Sequence, residues 1–171
     1  KAEDALYEEL LENYNRFGTT KYMVSDELVN ESTEKLKMLV RVAKRLPFKF
    51  EYTAYARIDL VARFPEQIQL LLDSGAVGLA FGIETFHEEA GKAVGKGMKS
   101  EKIKQALEDC KKAWGNNILL TANFMIGLPG EPEESIMETM DYLSSPNCPI
   151  DTFELNLLNV QKTEGDKPGN K

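Results

Sequence analysis

Cysteine, histidine and long apolar runs are all scarce in this chain. Its two cysteines are Cys110, on a helical pattern, and Cys148, in the loop "SSPNCPI". That placement makes neither a disulfide framework nor a metal-ligand spacing. The one histidine, His87, reads as a surface residue. No apolar run reaches the roughly 18 residues that cross a bilayer, so no transmembrane helix and no membrane partner are expected. The opening "KAEDALYEELLENYNRFG" is acidic and amphipathic, unlike a signal peptide. Without an export signal, a reducing cytoplasm is the expected compartment. Basic charge is thin too. Lys and Arg total 21 against 28 Asp and Glu, for a net charge of −7. Phosphate-tracking nucleic-acid binding is therefore not expected of this segment, and its acidity is read first as solubility. There is no G-x-S-x-G elbow, no G-x-G-x-x-G fingerprint and no internal repeat, which leaves a hydrolase or a dinucleotide reductase without support.

What is present is an alternation of two periods within 171 residues, 42% of them hydrophobic, enough for one domain with a substantial core. Helical patterns fit "EDALYEELLENYNRFG", "ESTEKLKMLVRVAKRLP", "FPEQIQLLLDSG", "KSEKIKQALEDCKKAWGN" and "EPEESIMETMDYLSS". In the second, Leu36, Leu39, Val40, Ala43 and Leu46 recur on one helix face. Between the helices lie "KYMVSD", "FEYTAYARI", "VGLAFGIET", "LLTANFMIGL" and "TFELNLLNV", whose lengths suit buried parallel strands. A leading helix followed by five strands joined by four helices argues for α/β architecture with right-handed crossovers. A closed eight-fold barrel takes about 250 residues, so a doubly wound sheet or part of a barrel fits better. The end, "QKTEGDKPGNK", reads as a frayed polar tail. The start lies inside a helical pattern with no strand before it and reads as an excerpt of a longer protein.

In parallel α/β folds the carboxyl ends of the strands carry the site. Here they are "SDE" (25–27), "YAR" (55–57), "GIET" (82–85), "IGLPGE" (126–131) and "NLLNV" (156–160). Singly, each has a plain structural explanation. Asp26 caps the helix that begins near Glu31, Arg57 and Asp59 form a surface pair, and Glu84 is solvated. Their shared placement after strands favours one site. In the fourth, Gly127 and Gly130 permit close backbone approach while Pro129 stiffens the turn. No lysine follows, and Glu131, Glu133 and Glu134 occupy the next helix's first turn, where they would repel a phosphate. A neutral or cationic ligand, such as an adenine ring read by backbone groups, suits this loop. An acidic strand–turn–helix joint explains the same composition. Lys92, Lys96 and Lys99 read as solvated, Trp114 as core, and Tyr52 and Tyr55 as open to either reading.

Taken in order, "YARIDLV", "LLLDSGAVGLAFGIET", "VGKGMKSEKIKQAL" and "FMIGLPGEPEESIMET" resemble the radical S-adenosylmethionine (SAM) superfamily. The branch they resemble is shared by cobalamin-binding-domain enzymes, anaerobic porphyrin-ring cyclases and methylthiotransferases. The resemblance runs from about Lys21 to about Val160. It implies a partial (β/α)6 TIM-like barrel, with strands 2–6 of the barrel in residues 1–160 and a polar tail at 161–171. It also implies a [4Fe–4S] cluster, held by a CxxxCxxC loop, that cleaves SAM to a 5′-deoxyadenosyl radical and modifies an unidentified substrate, small or macromolecular. Electrons would come from a flavodoxin or ferredoxin, and cobalamin is a further cofactor within the branch. By resemblance, Asp26 and Glu27 accept from the SAM ammonium and Arg57 pairs with its carboxylate. Glu84 faces the ribose hydroxyls, while Ile126, Gly127 and Leu128 line the adenine through backbone contacts. Two departures stand out. The amine motif is Ser-Asp-Glu where the superfamily often has Gly-Gly-Glu, and CxxxCxxC is absent. The resemblance therefore carries over no cluster ligand. A segment that binds SAM without cleaving it is expected, and a non-catalytic ligand- or partner-binding module of the same fold is the alternative.

Overall fold

The computed structural model describes residues 3–25 and 28–159. Asp26, Glu27 and the tail expected at 161–171 lie outside them. In chain order the elements are α1 (Glu3–Phe17), β1 (Lys21–Val24), α2 (Thr33–Arg45), β2 (Glu51–Ala56), α3 (Ile58–Arg63) and α4 (Glu66–Asp73). Then come β3 (Ala76–Glu84), α5 (Glu88–Ala93), α6 (Ser100–Trp114), β4 (Leu119–Ile126), α7 (Glu133–Ser144) and β5 (Thr152–Leu157). None of these helices is long and apolar enough to cross a membrane.

Local chemistry explains the boundaries. Ser32 caps α2 by accepting from the Lys35 amide at 3.2 Å, so the cap is Ser32 and not Asp26. Gly75 ends α4 at φ 96°, and a side chain there would collide with the Phe50 carbonyl, so only glycine fits. Two short helices, α3 and α5, went unforeseen. Six residues each are too few to display a 3.6 period, and Phe64–Pro65 breaks α3 from α4.

All five strands are parallel and pair in sequence order, β1-β2-β3-β4-β5. That order is the wall of a TIM-like barrel, open between β1 and β5; the strand–helix alternation left a doubly wound sheet open as well, and the family resemblance implied the partial barrel. Over β1 to β4 one face packs under the helices, whereas β5, expected to be buried, is exposed along its length. Tyr52, Leu79, Phe81, Leu120 and Phe124 are buried there against Leu36, Leu71, Leu107 and Trp114. Trp114 is core, its Nε1 donating to the Ile68 carbonyl at 2.8 Å. Tyr52 lies on this face as well, its hydroxyl 2.7 Å from Ser74 Oγ. The opposite face follows the register through Tyr55, Ala80, Thr121 and Thr152, then Gly82, Asn123 and Glu154. Tyr55 is 56% exposed on it. This uncovered face also carries the exposed Met23 and Leu119, and its small central residues, Ala80 and Gly82, leave room beneath the strand tips.

Candidate functional site

At the tip of β2, Arg57 leaves the sheet and its guanidinium forks onto Asp59, with Nε 2.9 Å from Oδ1 and a terminal nitrogen 2.6 Å from Oδ2. The hydrogen bonds that Arg57 donates to Asp59 raise its pKa, against a smaller opposing effect of burial. For Asp59, burial pushes the pKa up. The Arg57 hydrogen bond and charge outweigh it, with help from its own amide and Lys96, and hold the carboxyl below its usual range. Arg57, Asp59, Gly82, Lys96 and Met98 line a hollow of about 290 Å³ between the tips of β2 and β3.

At the tip of β3 the register slips between Gly82 and Glu84, leaving Ile83 as a bulge. Glu84 takes φ 69°, the single non-glycine residue with positive φ among the described residues. The bulge and this backbone turn fold the carboxylate back over Gly82. A Cβ at Gly82 would lie 2.7 Å from Glu84 Oε1 and 3.4 Å from Lys96 Nζ. Lys96 donates to the Gly82 carbonyl at 2.7 Å and pairs with Glu84 at 3.5 Å, so it is engaged with the site and not solvated. Sequence reading missed this because the chain between Glu84 and Lys96 has no periodic signal that folds it back.

At the tip of β4, Gly127 has φ 88° and Gly130 φ 78°. Gly127 is exposed, and no atom lies within 4 Å of where its Cβ would stand. Its main chain faces open space of the kind a flat ring could fill. Ile126 is half-buried, and Leu128 is buried, its carbonyl accepting from the Glu131 amide at 3.2 Å. Glu131 was expected in the first turn of the next helix. It precedes that helix, and its Oε1 accepts a short hydrogen bond from Thr85 Oγ1, which in turn accepts from the His87 amide at 2.8 Å. Thr85 and Glu131 thus strap the "GIET" and "IGLPGE" segments together. His87 caps α5, its Nδ1 accepting from the Ala90 amide, a role its surface reading did not anticipate. Glu131 Oε2 and Asn123 Oδ1 are buried acceptors without a protein donor. Asn123 sits beside Gly82 in the register, on the uncovered face.

The structure therefore brings Arg57, Glu84, Ile126, Gly127 and Leu128 to the same end of three adjacent strands, with Glu84 between the other two groups. It adds Asp59, Thr85, Lys96 and Asn123. A larger hollow of about 500 Å³ lies between α5, α6 and α7, lined by His87, Glu88, Glu101, Lys104, Glu134 and Glu138, and holds none of the residues expected to contact SAM. Iron–sulfur ligands are not assembled. Cys110 is fully buried, burial and then the Asp109 charge pushing its thiol up to about 12. Cys148 stands apart from it, and no group of three or more metal-binding side chains occurs among the described residues.

The family model described as the radical SAM superfamily matches residues 4–143. No curated protein matches by sequence. Among solved structures, the radical SAM methyltransferase TsrM from Kitasatospora setae, with cobalamin and a [4Fe–4S] cluster bound, superposes with a TM-score of 0.70 at 18% identity. That match covers 92% of this chain and 31% of TsrM. The cobalamin-dependent radical SAM enzyme OxsB gives 0.65 at 19% identity, over 82% of this chain and 21% of its own. Coproporphyrinogen III oxidase (HemN) from Escherichia coli, a radical SAM enzyme, gives 0.64 at 17% identity, over 90% and 36%. The chain spans about a third or less of the length of these structures, and at such identities the likeness speaks to fold.

Proposed function

Because the chain belongs to the radical SAM superfamily, we propose that it is the SAM-binding part of a radical SAM iron–sulfur enzyme. One observation carries the proposal. Glu84 is folded over Gly82 beside Lys96, one strand away from the open main chain of Gly127. A carboxylate, an exposed glycine backbone and a guanidinium then stand along one rim, complementary to the ribose, adenine and carboxylate of SAM. Adenine would rest on the main chain of Ile126, Gly127 and Leu128, and Glu84 would accept from the ribose hydroxyls. The unpartnered Asn123 Oδ1, beside Gly82, suits a further hydroxyl donor. Arg57 would exchange part of its fork on Asp59 for the SAM carboxylate. Asp26 and Glu27, outside the described residues, are proposed for the ammonium.

SAM fits the residues present, but the cluster does not, since two separated cysteines cannot supply three thiolates. In the whole protein a cluster held by other residues would supply the electron that cleaves SAM, drawn from a flavodoxin- or ferredoxin-like donor. A second reading is a non-catalytic ligand- or partner-binding module of the same fold. Titration calorimetry of the chain with SAM tests the shared premise. Saturable binding that Glu84→Gln weakens by roughly 10- to 100-fold is expected, and no binding at millimolar SAM refutes both the ribose assignment and the site. A CxxxCxxC in the adjoining coding sequence would decide for the enzyme over the module.

A further inference from the structure

Arg57 lies one residue beyond the end of β2, and β1 stops at Val24, opposite Ala54. On the β1 side, Arg57 therefore has no strand neighbour to take its main-chain polar groups. The segment after Glu27 fills that gap. The Val29 amide donates to the Tyr55 carbonyl at 3.0 Å. The Asn30 side chain then serves Arg57 as a strand neighbour would. Asn30 Oδ1 accepts from the Arg57 amide at 2.8 Å, and Nδ2 donates to the Arg57 carbonyl at 3.0 Å. The second Nδ2 hydrogen goes to Gln67 Oε1 at 2.9 Å, and Gln67 Nε2 returns to the Asn30 carbonyl at 3.3 Å. These bonds fix the orientation of both amides, because a flip of either would set donor against donor. Asn30 and Gln67 are each 0% exposed, so water cannot replace a lost partner.

We propose that Asn30, locked by Gln67 on α4, is a positioning residue that sets Arg57 for the carboxylate end of SAM. The inference rests on the function proposed above. Asn30 touches neither guanidinium nor ligand in this arrangement. It acts through the main chain, holding the Arg57 Cα in register while the guanidinium stays free to leave Asp59. The adenosine half, held at β3 and β4, does not depend on this clamp.

That asymmetry supplies the test. The chain is titrated with SAM and with 5′-methylthioadenosine, which keeps the adenosine and a sulfur but lacks the amino acid. Asn30→Asp retains the acceptor for the Arg57 amide and removes both donated bonds. Misplacing one charge-assisted pair should weaken SAM binding about tenfold while methylthioadenosine changes by less than about twofold. Gln67→Met, which leaves Asn30 in place but unlocked, should show the same selectivity in smaller measure and serves if Asn30→Asp does not fold. Equal losses for both ligands would mean general damage and overturn the inference, as would unchanged SAM binding in both variants. A wild-type chain that binds neither ligand would instead overturn the proposed function itself.

Discussion

Gly82→Ala separates the geometry of the site from the stability of the fold. The added methyl would stand 2.7 Å from Glu84 Oε1 and 3.4 Å from Lys96 Nζ. Contact between carbon and oxygen needs about 3.3 Å, so the carboxylate must retreat by roughly 0.6 Å or rotate away. The clash is with the far end of a side chain, which can rotate, and Gly82 itself does not have positive φ. The backbone therefore accepts alanine, and reduced unfolded-state entropy adds about 0.4–1 kcal/mol in its favour. Net stability should change by less than about 1 kcal/mol. Binding should not be spared. A carboxylate hydrogen bond is worth about 1.5–3 kcal/mol, so displacing Glu84 from the ribose should cost roughly 10- to 100-fold in affinity. Calorimetry with SAM and a urea melt on the same preparation measure both quantities. A variant that binds SAM as tightly as wild type would refute the claim that Glu84, folded over Gly82, meets the ribose. A variant that loses stability and binding together would refute the claim that the methyl acts only on the carboxylate.

Gly127→Val should cost about 1–2 kcal/mol of stability from backbone strain alone, since open space surrounds the position, and should also weaken SAM binding. A melt matching wild type would contradict that strain. The depressed Asp59 pKa predicts a pH dependence. Its contribution to stability is full above the ordinary aspartate value near 3.8 and is lost as pH falls through the lower folded value. Asp59→Asn should therefore flatten that acidic limb of the stability curve, and an unchanged limb would show that the Arg57 fork contributes nothing. Leu71→Ala, at a site with 0% exposure, should cost about 2–5 kcal/mol by denaturant melt, and a loss under about 1 kcal/mol would mean the core collapses around the cavity.

Sequence periodicity carried the fold far because it reports faces. The stripe of Leu36, Leu39 and Val40 is buried, and all five strands occur where β-branched and apolar runs stood. Parallel pairing followed from the alternation, since each crossover helix returns the chain to the same sheet end. Periodicity fails below two turns, and that is why α3 and α5 were invisible. Both lie immediately after strand tips, where the chain is shaped by contacts to other loops.

The site shows the same limit more sharply. Placing residues at strand ends required only that strands run parallel, so Arg57, Glu84 and Gly127 could be grouped from sequence. What each does there depends on pairings between segments far apart in the chain. Asn30 meets Gln67, Thr85 meets Glu131, and Lys96 returns to Gly82. None of these pairs leaves a local pattern, because a buried amide or a surface lysine looks the same in composition whether partnered or not. Register adds a second hidden variable. A single bulged residue, Ile83, changes the aim of Glu84 relative to β4, and nothing in "FGIET" announces it. The bulge also explains why Gly82 must be small. It is the residue over which Glu84 folds, so the glycine and the glutamate form one feature: one supplies the space and the other the charge.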